Sequence, residues 1–464
     1  MTPTEPDRRR AEARSEPLRA LLIGTYEMGR QPFGLASPAA WLRDAGVDVT
    51  CVDLTRERLS NDVVSRAGLV AWYLPMHTAT RLALPIIQRV RDVNPDAHLC
   101  GYGLYAPPNA QLLAELGVTS VLGPEFEADL TDLAVALGEG RPPPAAATQL
   151  PRLRFKVPDR GALPPLAQYA ALSDAAGGRR LVGYTEASRG CKHTCRHCPI
   201  VPVYEGRFRV VAPDVVLADI RAQVEAGARH ITFGDPDFFN GPTHAVEIVR
   251  RVARTFPDLS YDVTVKVEHL LDQVNLLPTL RDTGCAFVTS AVESFDDRVL
   301  EILDKGHTRA DVARAVEACR AVGLVLTPTF VPFTPWTTLD TYCRMLEEVA
   351  ALDLIDAVAP IQLAIRLLLP ERSGLLAHAE VASAVGPFQP DGLIYPWRHP
   401  DARVDALQAD VTALVGRWVT APRREAFEAV WDLAHERAGV SRPVPEAGAS
   451  ARAAIPYLNE PWYC

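Results

Sequence analysis

The sequence has little sulfur, few aromatic residues and no excess of positive charge. Nine Cys and four Met occur among 464 residues, aromatic residues make up 7%, and the formal net charge is −9. Nucleic-acid-binding domains carry a basic surface, so we expect no nucleic acid partner. The chain contains no uninterrupted run of 18 apolar residues, so no membrane span is expected either.

The first residues lack the apolar segment of a targeting signal. Arg8, Arg9 and Arg10 lie among acidic residues and prolines, and no apolar segment follows them. We therefore predict a disordered tail over residues 1–17 and a cytoplasmic protein. Five other cysteines occur singly, and we expect them to be small buried hydrophobic residues, which agrees with a cytoplasmic protein. They are Cys51, Cys100, Cys285, Cys319 and Cys343.

Three of the cysteines stand together. Cys191, Cys195 and Cys198 form C-x3-C-x2-C within eight residues. Thiolates favour iron–sulfur clusters or zinc over hard cations. Electron-carrying clusters normally take four Cys, so three ligands on a [4Fe-4S] cluster leave one iron open to a small molecule. The alternative is zinc held by the three Cys with His193 or His197, although zinc ligands usually come as two separated pairs.

This segment resembles the signature of radical S-adenosylmethionine (SAM) enzymes. The resemblance implies a [4Fe-4S] cluster whose open iron binds SAM and, once reduced, splits it, most often giving a 5′-deoxyadenosyl radical. It also implies an electron donor of the flavodoxin or ferredoxin type. His197 occupies the place where the family usually has an aromatic residue, and we count it among the cofactor-binding candidates.

Residues 18–138 predict a flavodoxin-like, doubly wound parallel sheet, because short apolar runs alternate with amphipathic segments. Such a sheet binds ligands at the carboxyl ends of its strands. The predicted strands are Ala20–Ile23, Val47–Val52, Leu69–Tyr73, His98–Gly101 and Ser120–Leu122, and the predicted helices are Pro38–Ala45, Arg81–Val93 and Gln111–Leu116.

This region, placed before a radical SAM segment, resembles the cobalamin-binding class of these enzymes. The Asp-x-His-x-x-Gly motif that supplies an axial His in many cobalamin domains is absent. We therefore expect a cobalamin site without a His ligand, or a degenerate domain that has lost the cofactor. His77 is the one loop His in a suitable place, and an ordinary polar role is favoured for it.

Residues 139–178 are Pro- and Ala-rich and predict an extended linker.

Residues 179–370 then predict six β-α units, matching the partial (β/α)6 barrel of radical SAM enzymes. The predicted strands are Leu181–Thr185, His230–Phe233, Tyr261–Val267, Ala286–Ala291, Leu324–Val331 and Ala357–Ile365, and the predicted helices are Pro213–Ala226, Pro242–Thr255, Leu271–Thr283, Arg309–Val322 and Thr338–Leu352.

Active sites of barrels lie at the carboxyl ends of the strands, and the remaining candidates fall there. Gly234 and Asp235 stand where the family has a Gly-Gly-Glu-like motif that meets the SAM amino group; a turn with a helix cap is the alternative. Ser290 and Glu293 lie in a segment similar to the family's Gly-Val-Glu-Ser. For Glu293 the alternative is a salt bridge to Lys305 or Arg309.

Two further candidates flank these motifs. Pro332 stands where many members carry Gly-x-Pro-Gly-Glu-Thr, and the loss of the glycines suggests a bulkier wall over adenine or substrate. Arg207, just past the cysteine segment, is expected to pair with a carboxylate or to lie on a solvated surface.

Residues 371–464 predict a helical extension with helices at about Arg403–Thr420 and Arg423–Arg437. The chain ends on Cys464 after Pro461-Trp462-Tyr463, and it resembles radical SAM proteins with a CUAEP or CCAEP tail. We expect Cys464 to be a catalytic thiol and a selenocysteine codon to follow it directly.

The leading hypothesis is a radical SAM enzyme that transfers a methyl or other alkyl group to an unknown small molecule, with cobalamin as an additional cofactor. A second hypothesis is 3-amino-3-carboxypropyl transfer to an arsenic or selenium species held by C-terminal thiols. A third, of another class, is a non-enzymatic zinc or iron–sulfur sensor.

Overall fold

The chain divides into two compact units, with the boundary between Gln168 and Tyr169. We describe a computed structural model that covers residues 17–144, 150–173, 178–418, 422–444 and 457–458. Each unit has its own parallel β-sheet with helices packed against it. None of the helices described over these ranges is long and apolar enough to cross a membrane.

The first unit is a five-stranded, all-parallel sheet with strand order β2-β1-β3-β4-β5. This is the flavodoxin-like order, and it confirms the predicted doubly wound sheet. The strands are β1 Arg19–Gly24, β2 Asp48–Asp53, β3 Leu69–Tyr73, β4 His98–Tyr102 and β5 Ser120–Leu122. The helices are α1 Phe33–Asp44, α2 Asn61–Arg66, α3 His77–Val93, α4 Ala110–Glu115 and α5 Glu127–Gly138.

Both faces of this sheet are buried, as the near-continuous apolar strands require. Leu35 and Leu130, from α1 and α5, pack on one face. Ile87 and Leu113, from α3 and α4, pack on the other.

Residues 150–168, inside the predicted linker, pack on the first unit. The backbone N–H of Asp159 donates to the Ala36 carbonyl at 2.9 Å, and its carboxylate pairs with Arg43. Leu163 joins the core beside α1 and α5. This segment therefore contributes packing, although its Pro content favoured an extended spacer.

The second unit contains a seven-stranded sheet with order β13-β12-β11-β10-β7-β6-β14. The five strands from β7 to β13 in that sheet are parallel, and β6 and β14 extend its edge antiparallel. A separate two-stranded hairpin is formed by β8 and β9. The strands are β6 Ala171–Ser173, β7 Arg179–Thr185, β8 Ser188–Gly190, β9 Phe208–Val210, β10 His230–Phe233, β11 Ser260–Thr264, β12 Cys285–Glu293, β13 Leu326–Phe330 and β14 Tyr457–Leu458.

Helices follow the parallel strands, so the predicted α/β half-barrel is confirmed. They are α6 Val201–Tyr204, α7 Pro213–Glu225, α8 Pro242–Thr255, α9 Val267–Asp272, α10 Leu277–Asp282, α11 Asp297–Leu303, α12 Arg309–Ala321 and α13 Leu339–Ala351. The predicted helix over 271–283 is interrupted, because Pro278 lacks an N–H and starts a new helix.

The predicted sixth strand, Ala357–Ile365, is wrong. Two 3₁₀ turns, Ile355–Ala357 and Pro360–Leu363, occupy this segment. Pro360 has no N–H to donate to a strand neighbour, which disfavours a central strand here. All that remains of strand pairing is a single parallel bridge between Phe333 and Arg366.

The helical extension is confirmed, with α14 at Ala379–Ala384, α15 at Ala402–Arg417 and α16 at Arg423–Ala438. Arg366 holds α15 against the barrel. Its guanidinium lies 2.8 Å from the Asp405 carboxylate and 3.5 Å from the centre of the Trp397 ring. The extension thus packs on the end of the sheet where the sixth strand was expected.

Candidate active site

The cysteine loop leaves β7 and is closed at its base by a short hairpin. Ser188 to Gly190 pair antiparallel with Phe208 to Val210. Gly190 has φ +77°, and a Cβ there would lie 2.4 Å from the Tyr204 ring and 2.5 Å from the Arg207 carbonyl. Only glycine fits this position, so the base of the loop has one conformation.

Asn240, which the sequence reasoning missed, fixes the beginning of the loop. This fully buried side chain follows β10; its Oδ1 accepts from the Lys192 N–H at 3.1 Å, and its Nδ2 donates to the Gly190 carbonyl at 3.3 Å. An Asn beside a helix start ordinarily reads as a turn residue, so only its position after the second barrel strand pointed to this role.

Arg196 fixes the middle of the loop. Its backbone N–H donates to the Leu303 carbonyl at 2.9 Å, and its guanidinium donates to the Ile302 carbonyl at 2.8 Å. These carbonyls lie at the end of α11, where helical carbonyls lack intrahelical partners. The loop is therefore held at its base, its start and its middle.

The three thiols lie inside this braced loop. Cys195 is buried, and Cys191 and Cys198 are half-buried. Burial raises the pKa of Cys191 above its ordinary value and that of Cys198 to about 12. These raised pKa values favour the neutral thiols of Cys191 and Cys198, whereas metal coordination removes the proton from a thiol outright. A preformed loop of buried thiols fits an iron–sulfur cluster.

Asp235 braces the segment between β7 and the loop. It is 2% exposed, and its carboxylate accepts from the Ala187 N–H at 2.9 Å and the Ser188 hydroxyl at 2.5 Å. Burial raises its pKa to about 7. Gly234 is required beside it, because a Cβ would lie 1.8 Å from the Tyr184 hydroxyl.

Asp237, two residues later, gathers two histidines. Its Oδ2 lies 3.3 Å from His193 Nε2 and 2.7 Å from His269 Nδ1. Burial alone would raise the pKa of Asp237, but these two imidazoles hold it below its ordinary value. On the other side of His193, Lys266 Nζ lies 3.0 Å from Nδ1 and also donates to Glu268 at 3.1 Å. The sequence reasoning named His193 only as an alternative zinc ligand.

Glu293 ends β12 and contacts the cysteine loop. Its Oε1 lies 3.1 Å from His197 Nε2 and 3.4 Å from Lys305 Nζ. Burial would raise its pKa, but Lys305 and His197 lower it to about 2. Its φ of +67°, next to a bulge in the pairing of β12 with β13, is a conformation that costs a non-glycine residue energy. The salt bridge to Lys305 that the sequence left open is present.

The other barrel candidates occupy different positions. Ser290 is fully buried in β12, and its Oγ has no hydrogen-bond partner among the residues described. Pro332 lies in the turn after β13, where its carbonyl accepts from the Thr337 hydroxyl at 2.8 Å. Arg207 is exposed and donates to the Glu205 carboxylate at 2.9 Å, so it both lies on the surface and pairs with a carboxylate of this chain.

The first unit presents glycines at the carboxyl edge of its sheet. Gly24 ends β1, Gly103 follows β4 with φ +109°, and Gly123 follows β5 with open space where a Cβ would stand. Leu35 and Leu74 fill the space beside Gly24 and Gly103, so of these three glycines only Gly123 borders open space. His77 starts α3 and is half-buried. Cys464 lies outside the described residues.

Comparison with known proteins bears on this arrangement. Residues 185–346 match the radical SAM superfamily. This stretch contains the three cysteines, Asp235, Asp237 and Glu293. Residues 185–346 form a radical SAM domain. Its fold implies a [4Fe-4S] cluster and SAM, which the loop of buried thiols fits.

Two curated relatives match little more than a third of the chain at most. An uncharacterised methyltransferase of Pyrococcus horikoshii is 25% identical over 173 residues, 37% of each chain. A tRNA-2-methylthio-N(6)-dimethylallyladenosine synthase of Desulfitobacterium hafniense is 32% identical over 127 residues, 27% of this chain and 24% of the relative. The chain thus spans little more than a third of these relatives at most.

Solved structures resemble nearly the whole chain. The radical SAM methyltransferase TsrM of Kitasatospora setae, with tryptophan and a SAM analogue bound, has a TM-score of 0.66 at 19% identity and covers 92% of this chain and 96% of its own. The cobalamin-dependent radical SAM enzyme OxsB, with aqua-cobalamin and SAM bound, has a TM-score of 0.68 at 12% identity, covering 92% and 72%. The chain therefore shares its fold with these two structures.

Proposed function

We propose that this protein is a cobalamin-dependent radical SAM enzyme that transfers a methyl or other alkyl group to a small molecule. The observation that carries the proposal is the braced loop of Cys191, Cys195 and Cys198 at the carboxyl end of β7. Three thiolates leave one iron of a [4Fe-4S] cluster for SAM, whose reductive cleavage the cluster supplies when bound.

The residues around the loop hold the cofactors in place. Glu293 and His197 join the end of β12 to the residue before Cys198, which fixes the loop at its third thiol. Lys305 compensates the buried charge of Glu293. We assign SAM contacts to Gly234, Asp235, Glu293 and Ser290, since all lie on the strand ends where barrel active sites form.

Cobalamin is supported by the first unit. Its strand order fits the cofactor, and OxsB, a similar structure that covers 92% of this chain, is cobalamin-dependent and contains aqua-cobalamin. No His of the described loops stands in an Asp-x-His-x-x-Gly motif, so we assign a cobalamin held without an imidazole ligand.

Reduction of a buried cluster needs a one-electron donor, for which we propose a flavodoxin- or ferredoxin-type protein of the cytoplasm.

The other two hypotheses have less support. Aminocarboxypropyl transfer depended on Cys464, outside the described residues. A sensor needs no radical SAM domain with charged groups at its strand ends.

The test is anaerobic reconstitution with iron, sulfide and hydroxocobalamin, followed by product analysis after adding SAM and dithionite. If the enzyme transfers a methyl group and also forms the 5′-deoxyadenosyl radical, we expect two products, S-adenosylhomocysteine and 5′-deoxyadenosine. The matched control is Cys319→Ala, a buried thiol of α12, which should keep its iron. Four irons per chain in a variant with Cys191, Cys195 and Cys198 all changed to Ala would contradict the proposal. Methylthioadenosine as the main product would favour aminocarboxypropyl transfer.

A further inference from the structure

Three buried donor atoms converge beside the cysteine loop. The Asp237 Oδ2 atom lies between two imidazole nitrogens. It is 3.3 Å from His193 Nε2 and 2.7 Å from His269 Nδ1. Despite this closeness, none of the three atoms makes a hydrogen bond of acceptable geometry with any residue that the structure describes. Buried polar atoms are nearly always paired, so three orphans at one point need an explanation.

A thiol completes the group. A donor atom from each of Cys191, His193 and Asp237 lies within 4.8 Å of the other two. Ligands on a tetrahedral zinc ion stand about 3.3 Å apart, given zinc–nitrogen and zinc–oxygen bonds of about 2.0 Å. His269 is not one of these three residues, but its Nδ1 lies 2.7 Å from the Asp237 Oδ2 atom. The three donors and His269 must move closer together to surround one zinc ion.

The charges also suit a divalent ion. One thiolate and one carboxylate balance the two positive charges of zinc, and two neutral imidazoles complete the set. The buried site is thus neutral overall, which avoids the cost of an unpaired buried charge. Cys, His and Asp are the residue types that zinc uses.

The surroundings of His193 can orient it as a ligand. A metal-bound His usually donates its other ring N–H to a carboxylate, and Glu268 Oε2 lies 3.6 Å from His193 Nδ1. Lys266 Nζ lies 3.0 Å from the same His193 Nδ1 atom. Once Nδ1 carries a hydrogen, both groups are donors and cannot form a hydrogen bond with each other. Lys266 must therefore turn to Glu268 alone, which it already contacts at 3.1 Å.

We propose that Cys191, His193, Asp237 and His269 bind a zinc ion in the cluster-free protein, and that this ion competes with the [4Fe-4S] cluster for Cys191. The site goes beyond the catalytic proposal, because it uses one cluster thiol only. Zinc then holds the empty loop, and cluster assembly must displace it.

Zinc titration of chelator-treated, anaerobic full-length protein against a chromophoric chelator tests the site. We expect one zinc per chain. Asp237→Asn, His269→Gln and Cys191→Ser should each weaken binding by more than about tenfold, since loss of even an outer-shell partner costs 10- to 100-fold. Cys195→Ser and Cys198→Ser should bind zinc as the unchanged protein does. His378→Gln is the matched histidine control.

Cobalt(II) gives an independent readout, because a thiolate ligand adds a charge-transfer band to the spectrum of the tetrahedral ion. This band should vanish in Cys191→Ser and persist in Cys195→Ser. Zinc loaded beforehand should slow iron incorporation into the unchanged protein but not into His269→Gln.

Several outcomes would overturn the proposal. They are no zinc binding, binding that needs Cys195 and Cys198, or binding that ignores Asp237 and His269. In that case the imidazoles and the carboxylate form an ion-pair network that anchors the loop. The catalytic proposal fails separately, because it depends on iron content and SAM products rather than on zinc.

Discussion

The carboxylate of Glu293 lies 3.1 Å from the imidazole of His197, the residue that precedes the third cysteine. This contact joins the fourth parallel strand of the half-barrel to the cysteine loop. Both side chains are largely buried. Glu293 also forms a buried ion pair with Lys305. The carboxylate therefore contacts both an ammonium group and an imidazole.

Glu293→Gln should destabilise the protein strongly. The change keeps the shape but leaves the Lys305 ammonium buried without its partner, and breaking such a pair costs about 3–5 kcal/mol. Urea unfolding of the metal-free protein measures the loss. Glu301→Gln, an exposed carboxylate on α11, is the control and should change little. Equal effects of the two changes would contradict the buried-pair reading.

The same pair predicts a pH dependence. The folded pKa of Glu293 is about 2, below the ordinary value of 4.5. A lowered carboxyl pKa gives stability that is complete above the unfolded pKa and is lost as pH falls through the folded one. The difference in unfolding free energy between the unchanged protein and Glu293→Gln should therefore be constant above pH 4.5 and shrink toward pH 2. A difference that grows on acidification would refute this assignment.

Gly190→Ala and Gly323→Ala form a matched pair. Their φ angles are +77° and +78°, so both substitutions bear a similar left-handed backbone cost of about 1–2 kcal/mol. A Cβ at 323 meets open space, whereas one at 190 clashes with Tyr204 and the Arg207 carbonyl. Only Gly190→Ala should also lose iron after reconstitution, measured as iron per chain. Similar iron contents in both variants would show that the hairpin tolerates movement.

Asn240→Ala should loosen the start of the cysteine loop. It leaves the Gly190 carbonyl and the Lys192 N–H without their partner, and each unsatisfied buried group costs about 1–3 kcal/mol. We expect a lower melting temperature and fewer irons per chain. Asn275→Ala, at an exposed position, should retain both values. Full iron retention by Asn240→Ala would show that the other anchors suffice.

Cobalamin should bind the anaerobic protein without an imidazole ligand. The EPR spectrum of the reduced cobalt(II) form should lack nitrogen hyperfine splitting from imidazole, and His77→Ala should bind with unchanged affinity. Imidazole splitting that disappears in His77→Ala would overturn the ligand-free assignment. Failure of the unchanged protein to bind would mean that the first unit has lost the cofactor.

The sequence predicted the parts of the fold that depend on periodicity. Alternating apolar strands and amphipathic helices gave both parallel sheets. The prediction failed at Ala357–Ile365, because apolar content suggested a strand while Pro360 removed a needed donor. It also missed β6 and β14, which are too short to carry a periodic signal.

The site was predictable where spacing constrains chemistry, and much less so elsewhere. C-x3-C-x2-C indicates a metal cluster by itself. Asn240 and His269 are single polar residues. The partners of Asn240 lie 48 and 50 positions away along the chain, and Asp237 lies 32 positions from His269. Such contacts depend on how neighbouring strands align, which local sequence does not specify.

The pairing of β14 with β6 has a consequence for how the second unit folds. Leu458 lies opposite Leu172, and the two side chains share a small core with Val182 and Phe287. Strand β6 is synthesised before the other strands of this sheet, whereas β14 is synthesised after all of them. During synthesis β6 is therefore an open sheet edge, a known template for wrong strand pairing. A nascent chain that stalls before residue 457 is for that reason more prone to aggregate than its length alone would suggest.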